Sequence, residues 1–264
     1  MDQIQLKKCW EQFQQENRLD ERLSRQIALS WCRSRQLGVD SEKIKVGSGA
    51  SAEKALSRAL ERNRSLVRIV QPTLKELGRQ FQSQHLCFML FDAELRLLVI
   101  EKSDHAMLEK ILERFTTLGE CYGEERIGTS AVGLCVKSGH IESISGYEHY
   151  CRQFHELFCI AVPIYDPRGD LLAVIGTAGL YEHKSTNLEV VLEIAANLVI
   201  NHMKMNEVEE QLIRQSKLHS LIVDAASDGM LTVDMEGRIT FINRAGKKIL
   251  HINLLFAEWI RSVG

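Results

Sequence analysis

The sequence has no run of about 18 consecutive apolar residues, the length that a membrane-spanning helix needs. The N-terminus mixes charged and amide side chains and has no apolar core of the kind that secretory signals carry. Basic and acidic residues are nearly balanced, 33 against 35, so the chain has no global positive charge for nucleic acid. Together these absences predict a cytoplasmic protein that does not associate with membranes.

Paired cysteine motifs are also missing. The seven cysteines are an odd number, and no two have the Cys-x-x-Cys spacing of zinc and redox motifs. In a cytoplasmic protein we interpret them as reduced thiols that pack as small core residues. His149, Cys151 and His155 have the residue types of a metal site. On a helix only Cys151 and His155 would share a face, so we expect no metal ion there.

The signatures of several enzyme classes are absent. The sequence has no Gly-x-Ser-x-Gly elbow and no His-Glu-x-x-His helix. The adjacent carboxylates of Glu124 and Glu125 lie in a predicted loop, where such pairs are usually solvated. We therefore expect no enzymatic activity and no cofactor.

The residues that are present are typical of a globular protein. Hydrophobic residues make up 45% and charged residues 26% of the 264, enough to bury a core without disulfides. Helical periodicity predicts two helices within 1–40, the second over Arg22–Leu37. A further helix is predicted over 51–82, with Ser51 as its N-cap and a kink or break at Pro72.

Strand-like segments alternate with short helices in the middle of the sequence. Helices are predicted over 104–115 and Thr129–Ser138, the second with Thr129 as its N-cap. An Asp-Pro-Arg-Gly-Asp segment fits a type I turn, with Pro167 second and Gly169 fourth. The strands on either side of this turn are apolar nearly throughout, which predicts a place at the sheet centre. The predicted strands are two within 87–101, joined by a turn, then 140–145, 158–166 and 170–179.

A long helix is predicted from near Thr186 to His219. One series of its positions alternates steps of four and three residues, which is a heptad seam with two polar interruptions. Two interpretations stay open: a helix that packs on its own domain and ends in a solvated linker, or a parallel helix pair that forms a homodimer and transmits a signal. Two strands within 229–243 and a short helix follow, too few elements for a closed domain. The seam consists of Val191, Ala195, Leu198, His202, Met205, Glu209 and Leu212.

Four segments, in this order, resemble the sensory region of sigma-54-dependent transcription activators of the acetoin and dihydroxyacetone type. Residues 28–40 (ALSWCRSRQLGVD) are similar to a helical signature near the start of that family. Residues 119–139 are similar to a Glu-x-x-x-Gly-Thr core of its GAF domain. Residues 146–179 are similar to a Glu-His-aromatic triplet followed by a Cys-x-x-x-Pro-Ile-x-Asp-x-x-Gly hairpin. Residues 227–250 resemble the opening of a PAS domain.

The resemblance implies an α/β (α+β) fold: a GAF domain with a central antiparallel sheet flanked by helices, preceded by a helical extension and followed by a partial PAS domain. The implied bounds are 1–50 for the extension, 51–205 for the GAF sensor, 206–220 for a helical linker and 221–264 for the start of the PAS domain. The family's Walker A loop, GAFTGA loop and helix-turn-helix are not found in this sequence. We therefore predict no DNA binding by this chain alone.

The resemblance also implies a signal-sensing function, in which a small effector binds in the GAF cavity and the signal passes through the helical linker. Two alternatives stay open. A GAF module can dock a metabolic enzyme subunit instead of a ligand, or act as a cysteine-based methionine sulfoxide reductase, for which Cys121 and Cys135 would have to be reactive. The candidate ligand-binding residues are Cys121, Ile127, Thr129, Cys135, Tyr147, His149, Tyr150, Cys151 and His155.

Overall fold

The computed structural model describes residues 1–44, 50–102, 113, 116–185 and 187–251. The helix predicted over 104–115 lies outside the described residues apart from Glu113, and so does the final segment 252–264. The chain divides into two compact units, Met1–Lys204 and Met205–Gly264, which are described separately.

Two helices form the N-terminal extension, as the periodicity predicts. α1 spans Gln3–Glu16 and α2 spans Arg25–Gln36, and the side chains of Asp2 and Ser24 cap their first turns. Gly38 follows α2 with φ +70°, the left-handed conformation that ends helices. Both helices bury aromatic side chains, which gives the extension its own share of the core. These are Trp10 and Phe13 from α1 and Trp31 from α2.

The next helical segment is divided, but not where the sequence predicts. α3 spans Ala50–Arg62 and α4 spans Arg64–Gln80, so the break lies at Asn63 and Pro72 is inside α4. The Asn63 side-chain amide donates to the Ala59 carbonyl at 2.9 Å, the local bonding by which asparagine competes with helical backbone. The prediction of a break at Pro72 was therefore wrong. Ser51 lies inside α3 and not at its N-cap position.

The five strands that the structure describes in the first unit form one antiparallel sheet in the order β2-β1-β5-β4-β3. The β4–β5 hairpin therefore occupies interior positions, with β5 in the middle, which confirms the prediction from its apolar runs. Its turn closes with a 3.0 Å bond from the Gly169 N–H to the Asp166 carbonyl, as expected. The strands are β1 (Leu86–Asp92), β2 (Leu97–Lys102), β3 (Glu142–Ser145), β4 (Leu157–Tyr165) and β5 (Leu171–Leu180).

Both faces of this sheet are covered. On β1, for example, Phe88 and Leu90 face one core, while Met89 and Phe91 face the other. The first core contains side chains of α4 and of the next long helix, and the second contains those of α1 and α2. Because neither face meets water, both sets of alternating side chains are apolar, and the strands lose the polar alternation of a one-sided sheet.

Two short helices lie on the face that α1 and α2 cover. α5 spans Glu124–Ile127 and α6 spans Ala131–Ser138. Short 3-10 turns at Gly146–Glu148 and Arg152–Phe154 connect β3 to β4. This connection and the two helices frame the site described below.

A 38-residue helix, α7, spans Leu188–Ala225. The predicted seam does not stay on one exposed side of it. Ala195 is buried and Val191 is half-buried against the sheet, whereas Leu198, Met205 and Leu212 are more than half exposed. The first turns of the helix thus pack on their own domain. Among the described helices, none is both long and apolar enough to cross a membrane.

The second unit contains a two-stranded antiparallel sheet and a short helix in its described part. β6 spans Leu231–Val233, β7 spans Ile239–Ile242 and α8 spans Arg244–Ile249. The buried Asn243 holds these pieces together, because its side chain accepts from the N–H groups of residues 230 and 246 and donates to the carbonyls of residues 223 and 228. These are the strand–turn–strand and helix that the sequence predicts.

The tight packing of the central strand makes Gly179 a sensitive position. A Cβ atom there would lie 2.7 Å from Leu86 Cδ2 and 2.8 Å from Phe158 Cε1. We expect Gly179→Ala to lower the free energy of unfolding by about 1–3 kcal/mol through overpacking. The matched control is Gly78→Ala in α4, where the new Cβ would be 3.7 Å from Glu101 Cβ. This control should leave stability unchanged or raise it by up to about 1 kcal/mol. Urea unfolding of both variants tests the difference, and equal losses would contradict it.

Candidate functional site

A cavity of about 60 Å³ lies between the sheet and the layer formed by α5, α6 and the β3–β4 connection. Its floor comes from β1, β4 and β5, and its roof comes from the two short helices and the connection. None of the described residues that line it carries a formal charge at neutral pH. They are Met89, Phe91, Thr116, Tyr122, Ile127, Ser130, Ala131, Val132, His149, Phe154, Leu157, Cys159, Ile160, Gly176, Thr177 and Ala178.

Several polar groups in the wall already have partners inside the protein. The Thr177 hydroxyl donates to the Cys87 carbonyl at 2.8 Å. The Ser130 hydroxyl accepts from the Gly133 N–H at 3.2 Å, because Ser130 is the N-cap of α6. A hydroxyl carries one donor and two acceptor lone pairs, so each of these bonds uses only part of its hydrogen-bonding capacity.

The imidazole of His149 differs from these groups. It is 1% exposed, and its Nδ1 lies 3.0 Å from the Gly146 carbonyl, which can only accept a hydrogen bond. Nδ1 therefore carries the proton, and Nε2 is left as an acceptor. This Nε2 has no hydrogen-bond partner in the protein. Burial lowers the pKa of His149 to about 3, so the ring is neutral at physiological pH.

The backbone around His149 is held from outside by the N-terminal helices. The indole N–H of Trp10 donates to the Tyr150 carbonyl at 2.9 Å, and that of Trp31 donates to the Glu148 carbonyl at 3.0 Å. The Gln3 amide bonds to the Ser145 carbonyl and accepts from the Tyr147 N–H. Residues 145–150, here called the histidine segment, thus link α1 and α2 on one side to the cavity on the other.

An aromatic cluster supports the histidine segment. The His155 ring packs edge-on against Trp10 at 4.8 Å between centroids and lies 4.2 Å from the Tyr147 ring. Its Nε2 lies 3.2 Å from the His149 carbonyl and donates to it. Burial lowers the pKa of His155 to about 4. His155 and Tyr147 therefore act on the outer side of the segment and are not among the residues that line the cavity.

A buried carboxylate joins α2 to the roof of the cavity. Glu124 on α5 is 5% exposed and accepts two 2.9 Å bonds from the Arg33 guanidinium, a 2.5 Å ion pair from Lys137 and a short bond from the Ser30 hydroxyl. Ser30 in turn accepts from the Thr129 hydroxyl at 2.8 Å. Burial alone would raise the pKa of Glu124, but the bonds from Arg33, Lys137 and Ser30 outweigh it and hold this pKa below its ordinary value.

This network explains why Thr129 does not cap α6. Its hydroxyl is committed to Ser30, and Ser130 takes the N-cap position, which corrects the prediction by one residue. Gly128, just before it, has φ +69° and lies so close to Tyr150 that a Cβ would be 2.7 Å from Tyr150 Cβ. The Ile-Gly-Thr segment thus serves close packing between α5 and the histidine segment.

The structure places two of the nine predicted ligand-binding residues, Ile127 and His149, in the cavity wall. Thr129 and Cys135 are fully buried in the surrounding core and are not among the residues that line the cavity. The other five lie around the cavity but are not in its wall: Cys121, Tyr147, Tyr150, Cys151 and His155.

The strand residues of the wall were missed by sequence reasoning. Met89, Cys159 and Thr177 lie on β1, β4 and β5, and their side chains share the cavity-facing side. The available signal was the alternation of side chains along each strand. Since both faces of the sheet are apolar, that alternation did not reveal which face holds the cavity.

Six of the seven cysteines are in environments that disfavour the thiolate form. All seven are free thiols. Burial raises the pKa of Cys135 to about 12 and that of Cys151 to about 11, and it also raises the pKa of Cys121. A nucleophilic cysteine needs the opposite shift. Within the described part of the chain, no group of three or more His, Cys, Asp or Glu is placed to hold a metal ion.

Comparison with known families agrees with this architecture. A GAF domain profile matches residues 65–202, more than half of the chain. The chain belongs to the GAF domain family. A PAS domain profile matches residues 216–263.

The curated relatives of this GAF protein include transcription regulators. The acetoin dehydrogenase operon transcriptional activator AcoR of Bacillus subtilis is 27% identical over 66% of this chain. The PTS-dependent dihydroxyacetone kinase operon regulatory protein of Escherichia coli is 23% identical over 86% of it. A signal-transduction and transcriptional-control protein of Clostridium beijerinckii is 22% identical over 74%. The chain spans 29%, 35% and 30% of the lengths of these three proteins.

Among solved structures, the Escherichia coli DhaR(N)–DhaL complex contains a chain of the same fold. The superposition has a TM-score of 0.75 at 20% identity and covers 87% of this GAF protein and 78% of that chain. The match extends well beyond the residues of the GAF profile, so the fold likeness includes elements outside the GAF domain itself.

The Glu124 network predicts a pH-dependent contribution to stability. Because the pKa of Glu124 is depressed in the folded state, its contribution is present above the unfolded value of about 4.3 and is lost as the pH falls through the folded value. We expect Glu124→Gln to lower the free energy of unfolding by about 1.5–3 kcal/mol at pH 7. The difference from wild type should persist at pH 5 and shrink at pH 3.5.

Urea unfolding at these three pH values measures the effect. The matched control is Glu125→Gln, which changes an exposed neighbour on the same helix and should have little effect. A Glu124→Gln difference that stayed constant down to pH 3.5 would show that the carboxylate charge is not what stabilises this junction.

Proposed function

We propose that this chain is the signal-sensing region of a sigma-54-dependent transcription activator, and that a small effector binds in the cavity of its GAF domain. The observation that carries the proposal is an apolar cavity between the sheet and its roof, in a chain whose curated relatives include named transcription regulators. Apolar walls with few polar groups are typical of small-molecule sites. Catalysis is not part of the proposal, because burial raises the pKa values of Cys121 and Cys135, the two cysteines that a reductase would need in reactive form.

The proposed route of the signal follows the contacts of the cavity roof. Ile127 lines the cavity, and Glu124, one turn earlier on α5, is bonded to Arg33 on α2. His149 lines the cavity, and its neighbours in the histidine segment are bonded to Trp10 and Trp31. An effector that binds one conformation of this roof more tightly than another shifts the population towards that conformation. Because the roof is bonded to α1 and α2, the positions of both helices shift with it.

Docking of a protein partner is a second candidate function. Two observations favour it: the cavity is far smaller than the few hundred Å³ of most ligand pockets, and a protein of the same fold is named in a complex with DhaL. In this case a metabolic enzyme subunit would bind the outer surface, and the cavity would remain empty or hold water.

A thermal-shift screen distinguishes the two candidates. Small alcohols, diols, ketones, carboxylic acids and aromatics are added to the chain. A true ligand raises the free energy of unfolding by RT ln(1 + [L]/Kd), so Tm rises with ligand concentration. We expect at least one class to raise Tm in the wild type. Cys159→Leu, which adds bulk to the cavity wall, should abolish the rise while retaining the fold.

The matched control is Cys32→Leu, which makes the same change on α2 away from the cavity wall and should keep the response. If no compound raises Tm, or if Cys159→Leu responds like the wild type, the effector cavity is not supported and protein docking becomes the better proposal.

We further propose that α7 pairs two copies of the chain. Five of the exposed apolar residues of this helix follow a heptad pattern that shares Leu198, Met205 and Leu212 with the predicted seam and adds Ile194 and Val208. The steps between successive members are four, seven, three and four, the spacing of a parallel coiled-coil seam. These residues are Ile194, Leu198, Met205, Val208 and Leu212, all 53–68% exposed.

Leu212→Glu tests this pairing. If the seam joins two chains, the charge should shift the mass measured by light scattering from dimer to monomer at micromolar concentration. Leu221→Glu is the matched control, because Leu221 is 68% exposed but lies on the opposite face of the helix at 100° per residue. A monomeric wild type, or equal effects of the two variants, would refute the seam.

A further inference from the structure

We infer that two copies of α7 lie parallel and in register, and that an ion pair between Lys204 of one copy and Glu209 of the other fixes this arrangement. The inference rests on the proposed pairing of α7 and specifies how the second copy is recognised. It is carried by two charged residues beside the exposed seam and by one polar residue within it. The exposed seam consists of Ile194, Leu198, Met205, Val208 and Leu212.

Lys204 and Glu209 lie directly beside the exposed seam, one on each side of it. Lys204 precedes Met205 and Glu209 follows Val208, so the two charges occupy the positions that flank the apolar positions of a heptad. Both residues are exposed, and neither forms an ion pair within the described part of the chain. Each copy therefore presents one cation and one anion at the positions from which coiled coils form salt bridges to their partner.

The direction of the second copy follows from where these charges can meet. In a parallel, in-register pair, Lys204 of each copy faces Glu209 of the other, and the two-fold symmetry forms this ion pair twice. In an antiparallel pair each flank faces the equivalent flank of the other helix, so Lys204 meets no acidic residue. The other flanking positions contain no lysine, arginine, aspartate or glutamate: they are Asn197, Gln211 and Leu218 on the side of Lys204, and Ala195, His202 and Ser216 on the side of Glu209.

The register follows from a polar residue within the seam. Asn201 occupies the heptad position midway between those of Ile194 and Val208. In register, its amide faces the same amide of the second copy, and an amide can both donate to and accept from its equivalent. A shift of seven residues would place this amide against the apolar side chain of Val208, where its hydrogen bonds are lost. A single asparagine at such a position is known to specify the register of coiled coils.

The opposite side of α7 is already used by its own domain. Leu192, Ala196 and Val199 are buried against the sheet. At 100° per residue they lie on the side of the helix that faces away from the exposed seam. A second copy can therefore pack on the seam without disturbing the contacts between α7 and its own sheet.

Charge reversal tests the ion pair. Lys204→Glu would place two acidic residues opposite each other at both sites of the dimer, and Glu209→Lys would place two basic residues there. The Kd of self-association is measured by analytical ultracentrifugation at low salt, on the order of 50 mM, where exposed charges are weakly screened. We expect each single variant to raise this Kd at least about five-fold. The double variant, in which the charges are exchanged, should return to within about two-fold of the wild type.

Mixing the two single variants gives a second, independent readout. In a parallel, in-register heterodimer both sites would again join opposite charges, so an equimolar mixture should form heterodimers in preference to either homodimer. The matched controls are Lys217→Glu and Glu207→Lys, which make the same charge changes at exposed positions on the outer side of α7. These controls should leave the Kd unchanged, and far-UV circular dichroism should show the same helix content in all variants.

The outcomes separate this inference from the pairing on which it rests. Single variants that dimerise like the wild type, or a double variant that is not restored, would overturn the ion pair. If Leu212→Glu still dissociates the dimer in that case, the pairing of α7 stands in another direction or register. A wild type that remains monomeric would overturn both the ion pair and the pairing of α7.

Discussion

Two indole N–H groups bond to backbone carbonyls of one short segment, and much of the first unit is organised around these bonds. Trp10 and Trp31 reach the carbonyls of Tyr150 and Glu148 from two different helices. A buried carbonyl must find a donor, and in an irregular connection the backbone does not supply one. The N-terminal helices satisfy this need, and in doing so they fix the histidine between the two bonded residues. The cavity therefore depends on an extension that lies outside the residues of the GAF profile.

A second set of bonds, centred on Glu124, joins α2 to the roof of the cavity through electrostatic interactions. A carboxylate that is 5% exposed remains ionised because a guanidinium, an ammonium and a hydroxyl bond to it. Removal of one partner would leave a buried charge without compensation. The bonds of Glu124 therefore hold α2 to α5 more specifically than apolar packing does. The two indole hydrogen bonds and the Glu124 network reach the roof of the cavity at different points. The sheet beneath the cavity is covered on both faces. In our proposal the roof is accordingly the part that responds to an effector, and the sheet is the support.

The sequence predicted most of the elements and fewer of the contacts. The central hairpin was located because its strands are apolar without interruption, and its turn because proline and glycine occupy the second and fourth positions. The break at Asn63 was missed because proline is the stronger local signal, whereas the asparagine acts through a side-chain bond that becomes evident only when the helix is formed. Thr129 was assigned to the N-cap because a hydroxyl before a helix is a local pattern. Ser130 displaced it because Ser30, 99 residues earlier in the chain, bonds to the threonine.

The sequence by itself determined the class of fold, the order of helices and strands and the resemblance to GAF and PAS domains, since these depend on local periodicity, turn residues and contiguous motifs. The tertiary structure alone decided which of the nine predicted residues line the cavity. Ile127 and His149 line the cavity, whereas Cys135 and Thr129 are buried in the core beside it. The reason is geometric. The side of the sheet on which the cavity lies, and the partner of each buried polar group, are set by segments far apart in the chain, and no local pattern records where those segments meet.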